Sequence, residues 1–342
     1  MAVPGTWQYD AEPLADKPLR RGAAGARFIA RIFLDAPLRG TSRHPQLFVL
    51  IGVHESKRFK GLLMPELPEV QTVVDDLNAE GLPGCTITRA KVYWPRSIAL
   101  TSPRRFQQQV ERRRIVNIYR RAKFIVFVLQ DDLWMAVHLR MTGRFQLFPS
   151  RSHRSRHVHV VLSLDDDRQL RFHDTRKFGR FYLTHDPDRI LGALGPEPLD
   201  PDFTSKDMAV MLSRSKRQIK PLLLDQHFIA GLGNIYVDEA LWAARIHPLR
   251  TAAELKADEV KSLHRNIRKV LRQGLRNAGT TLGQGPSNFY SLSRERGRNA
   301  DHLKVFRRTG QACLRCRTPI VRILVAQRST HVCTRCQQLS ST

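Results

Sequence analysis

Short apolar runs separated by turn-forming residues fill the chain from about residue 85 to residue 175. Six of them fit β-strands, over 87–94, 115–119, 124–129, 133–138, 158–164 and 170–172. Before them, apolar residues at helical spacing from Val70 to Leu77 predict a helix over 68–79. Strands at such regular intervals are typical of a sandwich or barrel of mainly antiparallel strands.

The pattern changes to helical spacing after residues 195–201, which contain three prolines and predict a stiff linker. Residues 235–245 predict one helix. Thr251 and Glu254 form a capping-box pattern, which predicts a second, longer helix that ends close to Gly279. The chain therefore combines a β-rich part with a helical part.

Shifts in composition divide the chain into five segments. They are an extension, a β-rich catalytic domain, a linker, a helical domain and a zinc ribbon: 1–63, 64–194, 195–203, 204–299 and 300–342. The extension has no sustained period, so we expect it to be disordered or translated from a misassigned start. Its acidic residues argue mildly against a transit peptide. Within the helical domain, the polar and arginine-rich residues 283–299 predict a mobile loop.

The net charge is +26 over 342 residues, which attracts polyanions. Ten basic and five acidic residues precede Met64, which leaves +21 of that charge on residues 64–342. No apolar run reaches the roughly 20 residues of a membrane-spanning helix. Nucleic acid is therefore the leading class of partner. A structural polyanion binder would carry the same charge, so charge alone does not give the function.

Four of the five cysteines cluster near the C-terminus, as Cys313, Cys316, Cys333 and Cys336. Two residues separate the cysteines of each pair, and this spacing is typical of a zinc ribbon. Four thiolates leave no open position for water, so the sequence predicts one structural zinc ion.

The heptapeptide Met64-Pro65-Glu66-Leu67-Pro68-Glu69-Val70 resembles the amino terminus of bacterial formamidopyrimidine-DNA glycosylases, the Fpg or MutM family. Six further blocks agree in the same order: 120–123, 138–143, 174–179, 194–199, 231–236 and 327–330. The resemblance covers nearly all of residues 64–338. It implies an α+β fold, in which a β-sandwich flanked by helices precedes a helical domain with a helix–two-turn–helix element and a zinc ribbon.

The resemblance implies that Pro65 attacks C1′ of a damaged nucleotide while Glu66 transfers protons. A free proline amine can form an iminium, but the same nitrogen inside a chain is an unreactive amide. The enzyme interpretation therefore requires that the chain begin after Met64. Lys123 and Arg328 would hold phosphates near the scissile sugar. Glu66 and Glu69 have a structural alternative, as carboxylates that complement a helix dipole.

An enzyme of this type must flip the damaged base out of the duplex and fill the gap. The resemblance assigns the filling to Met141, Arg176 and Phe178, which would otherwise pass for core or surface residues. A further DNA contact is expected from Asn234 and, with weaker support, from Lys216, Lys220 and His157. The alternative for Asn234 is a plain helix N-cap, and for the others a solvated surface position.

These residues predict a bifunctional DNA glycosylase and AP lyase that excises 8-oxoguanine and formamidopyrimidines from damaged double-stranded DNA by β,δ-elimination. We expect a monomer in the bacterial cytoplasm, associated with the nucleoid. One alternative is an endonuclease VIII-type enzyme for oxidised pyrimidines, although Leu67 favours the Fpg branch. Another is a catalytically silent damage-binding protein, which fits a chain that keeps its extension.

Overall fold

The computed structural model describes residues 64–282 and 289–339, all within one compact unit, Arg58–Thr342. The extension 1–63 lies outside the described residues. The helices are α1 (Leu67–Ala79), α2 (Pro103–Val110), α3 (Asp188–Leu191), α4 (Ser205–Ser213), α5 (Ile219–Leu224), α6 (Asn234–Ala244) and α7 (Ala257–Arg276). None of the helices in the described ranges has the length and apolar character needed to cross a bilayer.

Eleven strands accompany the helices in the described ranges. They are β1 (Thr86–Val92), β2 (Ile98–Ala99), β3 (Arg113–Arg121), β4 (Phe124–Leu129), β5 (Leu133–His138), β6 (Gly143–Pro149), β7 (Val158–Leu164), β8 (Arg168–Asp174), β9 (Arg180–Thr184), β10 (Val321–Val325) and β11 (Arg328–Val332). The bounds predicted for β4, β5 and β7 are confirmed. Helix α2 and strands β6 and β9 were not predicted from the sequence.

The first nine strands form one sheet in the order β2-β9-β5-β4-β3-β1-β7-β8-β6. All neighbours are antiparallel except β2 and β9. β3 and β1 pair over two residues only, so the sheet can fold there into two layers. Phe145 on β6 packs 5.8 Å from Phe127 on β4, ring centroid to ring centroid, across the space between the layers. The expected β-sandwich flanked by helices is confirmed.

Helix α1 connects the two hydrophobic cores. Val70, Val73 and Leu77 are buried in the core of the sandwich. Leu67, one turn before Val70, belongs instead to the core that α4, α5, α6 and α7 form. The start of α1 is therefore fixed by both parts of the molecule, and this fixes Glu66 directly before it.

The helical part differs from the sequence prediction at one boundary. Thr251 makes no side-chain cap, and a short 3-10 turn, Ala252–Glu254, follows it. Helix α7 begins only at Ala257, so the capping-box prediction was wrong. Thr251 and Glu254 do belong to a turn, but the local sequence does not show that this turn ends before the helix begins. The end was predicted well, since Gly279 lies three residues beyond α7 with a φ of +78°.

Part of the predicted mobile loop is packed. Residues 283–288 lie outside the described residues, but Leu292 is buried in the sandwich core, and its backbone N–H donates to Asp76 at 2.8 Å. Asn299 is buried as well, and its side chain donates to Thr280 Oγ1. Leu292 is thus an apolar anchor for residues 289–299, which the polar composition of this segment does not reveal.

Candidate active site and DNA interface

Glu66 is buried between two helices. Its carboxylate accepts hydrogen bonds from the backbone N–H groups of Ile235, at 2.9 Å, and Tyr236, at 3.4 Å. These groups belong to the first turn of α6, whose dipole favours a negative charge. The dipole alternative stated for Glu66 therefore applies to α6 as well as to α1, of which Glu66 is the N-cap.

Two glycines allow this contact. A Cβ on Gly233 would lie 2.3 Å from Cδ of Glu66, so no larger residue fits beside the carboxylate. Gly231 has a φ of +84°, and its carbonyl accepts the backbone N–H of Leu67 at 3.0 Å. The turn between α5 and α6 is thus shaped around the start of α1.

Glu69 joins three segments of the chain. It accepts the backbone N–H of Glu66 at 2.9 Å and so lies in the first turn of α1, where its charge complements the helix dipole. It also accepts the hydroxyl of Tyr236, at 2.8 Å, and the backbone N–H of Thr280, at 2.7 Å. The contacts to Tyr236 and Thr280 were missed by the sequence analysis, because these residues lie far from Glu69 along the chain. Glu69 thereby fixes the orientation of the Pro65–Glu66 segment.

Lys123 lies in the tight turn between β3 and β4 and is buried. Ala122 before it has a φ of +54°, and its N–H donates to the Glu197 carboxylate at 2.6 Å, which holds the turn. Burial lowers the pKa of Lys123, and the charges of Glu66 and Glu69 offset part of that effect. Lys123 and Glu66 thus face each other across the site.

Burial raises the pKa of Glu66 to about 7, against the opposing effect of the Lys123 charge and of the two backbone N–H donors. A carboxyl with that pKa is present in both protonation states near neutral pH. It can therefore donate a proton in one step and accept one in another. Pro65, directly before it, is also buried.

Arg328 projects from the exposed tip of the β10–β11 hairpin. Ala326 and Gln327 form the turn before it, both with positive φ, as in the tight turns typical of two-residue hairpins. The positive charge of Arg328 contributes to the lowered pKa of Lys123, so the two cations lie close enough to interact. The structure thus places Pro65 and Glu66 next to each other, with Lys123 within electrostatic reach of Glu66 and Arg328 within electrostatic reach of Lys123.

The three residues expected to fill the gap in the duplex are in contact. The Arg176 guanidinium lies 4.7 Å from the Phe178 ring centroid, and its Nη1 lies 3.1 Å from the sulfur of Met141. Phe178 is 44% exposed, which is unusual for a large apolar side chain. We call residues 175–179 the wedge loop.

Asp174 holds the wedge loop from beneath and is fully buried. Its carboxylate accepts the backbone N–H groups of Arg176, at 3.1 Å, and Gly179, at 2.7 Å, together with the hydroxyl of Thr142. Thr142 follows Met141, so one carboxylate fixes both loops that carry the exposed trio. The role of Asp174 was not predicted, although its place at the end of an apolar strand was a signal.

The other expected DNA contacts lie in three places. Lys216 is exposed on the segment before α5. His157 is half-buried beside the wedge loop, and its backbone carbonyl accepts the N–H of Asp174 at 2.9 Å. Asn234 starts α6 after the N-cap Gly233, and its amide donates to the carbonyl of Ser329 at 2.8 Å. Asn234 is therefore not the N-cap, and it ties α6 to the β10–β11 hairpin.

Lys220 corrects an expectation from the sequence. Its side chain is fully buried, so Lys220 is not a solvated surface residue and cannot touch a DNA backbone that lies on the protein surface. The ammonium lies 2.5 Å from a carboxylate oxygen of Asp238, whose other oxygen accepts the backbone N–H of His331 at 2.9 Å. This buried pair joins α5, α6 and β11. Two adjacent acids, Asp238 and Glu239, within an otherwise apolar helix were the signal in the sequence.

The four C-terminal cysteines lie close enough together to bind one metal ion. Their sulfur atoms all lie within 4.8 Å of one another, and those of Cys316 and Cys333 are 3.4 Å apart. Tetrahedral zinc with Zn–S bonds of about 2.3 Å requires sulfur atoms separated by about 3.8 Å. The cysteines fit one structural zinc ion, as predicted.

Three family models match the chain. The formamidopyrimidine-DNA glycosylase N-terminal domain matches residues 64–181, and the formamidopyrimidine-DNA glycosylase H2TH domain matches residues 194–284. The zinc finger found in FPG and IleRS matches residues 310–339.

Relatives with known names agree with these matches. The chain is 47% identical over 275 residues to the formamidopyrimidine-DNA glycosylase of Protochlamydia amoebophila, which covers 80% of this chain and 100% of the relative. It is 46% identical over 279 residues to that of Herpetosiphon aurantiacus, with 80% and 100% covered.

Solved structures agree as well. The complex between Lactococcus lactis Fpg and DNA with an abasic site has a TM-score of 0.73 and 36% identity. The Lactococcus lactis Fpg complex with N7-benzyl-Fapy-dG DNA gives the same values. Each covers 80% of this chain and 100% of the solved chain. Since the family models and relatives span both the sandwich and the helical part, the chain belongs to the formamidopyrimidine-DNA glycosylase family.

Proposed function

We propose that this protein is a bifunctional DNA glycosylase and AP lyase that excises oxidised purines, 8-oxoguanine and formamidopyrimidines, from duplex DNA. The single observation that supports the mechanism best is the buried Glu66 carboxyl. It follows Pro65 directly and lies between the N-terminus of α6 and Lys123. The family membership supports the substrate class.

Catalysis begins with the amine of Pro65 as the N-terminal residue. The nitrogen lone pair attacks C1′ of the damaged nucleotide, and the bond between C1′ and the base breaks. The departing base keeps the electron pair of that bond and takes up the proton that the amine loses. Glu66 in its protonated form donates to the ring oxygen of the sugar as the ring opens, which leaves an iminium between Pro65 and C1′.

Strand cleavage then uses Glu66 in the opposite direction. The ionised carboxylate accepts a proton from C2′, and the 3′-phosphate leaves by β-elimination. A second elimination releases the 5′-phosphate. Lys123 and Arg328 stabilise the phosphate charges on either side of the sugar. The charge of Lys123 interacts with that of Glu66, and Arg328 lies close enough to Lys123 to affect its pKa.

The other residues act on the duplex. Met141, Arg176 and Phe178 enter the stack where the damaged nucleotide has left it, and Arg176 can donate to the unpaired base. Asn234, Lys216 and His157 contact the backbone. The zinc ion, when bound by the four cysteines, supplies structural support for the Arg328 hairpin and takes no part in the chemistry.

The lesion preference tests the substrate class. We expect a protein that begins at Pro65 to excise 8-oxoguanine opposite cytosine at least tenfold faster than 5-hydroxycytosine opposite guanine, in single-turnover assays on otherwise identical duplexes. An undamaged duplex is the control. A faster release of the oxidised pyrimidine would assign the protein to the endonuclease VIII type instead.

The pH profile tests the role of Glu66. With its pKa raised to about 7, the protonated fraction of Glu66 falls as pH rises through 7. The neutral fraction of an α-amine with a pKa of about 7.7–8.0 increases over the same range. We therefore expect a bell-shaped rate of excision. Glu66→Gln should be slower by about 10²–10⁴-fold and should lose the decline on the alkaline side. An unchanged alkaline decline in that variant would exclude Glu66 as the proton donor.

Two further proposals follow from the charge and the composition of the chain. The protein acts as a monomer on DNA at the nucleoid, where its high positive charge favours binding to a polyanion. Its domains are those predicted from the composition, with boundaries at 64–194, 195–203, 204–299 and 300–342.

A further inference from the structure

Three loops meet beside the wedge loop, at one edge of the sandwich. The segment after β1 begins with Tyr93 and Trp94, whose backbone N–H groups donate to the carbonyl of His159 on β7. The segment before β7 carries Arg154. The third loop is the wedge loop itself, in which Lys177 stands between Arg176 and Phe178.

Three cations lie on two consecutive aromatic side chains in this place. The Arg154 guanidinium is 3.8 Å from the centroid of the Tyr93 ring. Trp94 contacts two cations: Lys177 Nζ at 4.1 Å and the Arg96 guanidinium at 6.0 Å from the ring centroid. We call these five residues the cation–aromatic ridge. Arg96 and Lys177 are exposed, and Tyr93 is 44% exposed.

The positive charge of the ridge is not neutralised by the protein. Within the described residues, none of the ion pairs involves Arg96, Arg154 or Lys177. Two cations on one ring repel each other, and the cation–π attraction at an exposed site is weak. The arrangement leaves a concentrated positive charge open to solvent, which an anion would stabilise.

Stacking also limits the motion of the cations. A guanidinium held flat on an aromatic ring keeps its N–H groups in a fixed plane, which suits the oxygens of a phosphate group. Lys177 has a φ of +62°, which lets the wedge loop turn so that this side chain reaches Trp94 while Arg176 stays in contact with Met141. The ridge is therefore continuous with the wedge loop.

We propose that the cation–aromatic ridge is a second DNA-contact surface, which binds the phosphate backbone of the duplex next to the place where the wedge loop enters. Arg96 and Arg154 each contact one phosphate, and Trp94 fixes the wedge loop through Lys177. This proposal rests on the proposed function only in taking duplex DNA as the ligand. It does not depend on Pro65 chemistry.

The salt dependence of binding tests the ridge. With the full 342-residue chain and an undamaged duplex, Arg96→Gln and Arg154→Gln should each make the slope of log Kd against log salt concentration shallower by about 0.9, the value for one phosphate contact. The double variant should lose about 1.8. Lys206→Gln is the matched control, since Lys206 is exposed on α4 in the helical part and should leave the slope unchanged.

Thermal unfolding separates a lost phosphate contact from a lost fold. Arg154 also donates to the carbonyl of Val158, so Arg154→Gln could destabilise the fold. The unfolding temperatures of both variants are therefore compared with that of the parent protein. If Arg154→Gln is destabilised, Arg96→Gln alone provides the test. Unchanged slopes in the stable variants, or an equal change in Lys206→Gln, would overturn the proposal. The proposal would also be overturned if the variants lost affinity only for single-stranded DNA, since the ridge would then bind unpaired strands.

Excision of 8-oxoguanine by the protein that begins at Pro65 distinguishes this proposal from the proposed function. If the protein excises 8-oxoguanine but the salt slopes of the variants are unchanged, the ridge proposal is wrong and the glycosylase proposal stands. If the salt slopes of the variants are shallower but 8-oxoguanine is not excised, the ridge is a DNA-binding surface and the glycosylase proposal is wrong.

Discussion

A protein that begins at Pro65 should be linked covalently to 8-oxoguanine DNA by borohydride, whereas the uncleaved 342-residue chain should not. Borohydride reduces an iminium to a stable amine, so trapping reports the bond between Pro65 and C1′. In the uncleaved chain the same nitrogen belongs to a peptide bond, and its lone pair is delocalised into the carbonyl. The chain is expected to bind DNA in both forms. We expect the difference in trapping and in excision to be essentially complete.

The measurement is gel separation of the protein–DNA adduct, with the N-terminus of each preparation verified by mass spectrometry. Pro65→Gly in the shorter protein is the informative variant, since glycine still offers a primary amine. It should be trapped much less, with a trace remaining. Trapping of the verified full-length chain would overturn the assignment of Pro65. Lys123 would then be the first nucleophile to examine, because burial lowers its pKa and leaves more neutral amine.

Cys316→Ser should lose stoichiometric zinc and most DNA binding. The four sulfur atoms lie within 4.8 Å of one another, and the hairpin that carries Arg328 lies between the two cysteine pairs. Without the ion, the thiolates would repel, and this small segment has few apolar residues of its own to hold it together. Metal analysis and duplex binding measure the two effects.

Cys85→Ser is the control for this variant. Cys85 lies outside the cluster, with its sulfur 3.3 Å from the carbonyl of Gly81, so zinc content and DNA binding should stay as in the parent protein. Normal DNA binding by Cys316→Ser, or a parent protein without zinc, would contradict the structural role of the metal. Arg328→Ala, which removes only the phosphate contact of this side chain, should make the slope of log Kd against log salt concentration shallower by about 0.9.

The sequence by itself was sufficient for features that depend on neighbouring residues. Short apolar runs bounded by turn-forming residues predicted β4, β5 and β7 with their observed bounds. The spacing of the cysteine pairs predicted the metal site, because each pair closes on one ion within a short loop. Apolar residues at helical spacing from Val70 to Leu77 predicted a helix over 68–79, and α1 spans Leu67–Ala79.

The tertiary structure decided what depends on contacts between distant parts of the chain. Glu66 meets Ile235, which is 169 positions away, and no local pattern shows that Gly233 must be small to admit it. Lys220 was expected at the surface because lysine is usually solvated, but Asp238 compensates its burial. The cation–aromatic ridge likewise exists only because β1 and β7 are neighbours, so that Tyr93 and Arg154 come together. Local periodicity fixes the elements, whereas charge burial and close approach are set by which elements pack together.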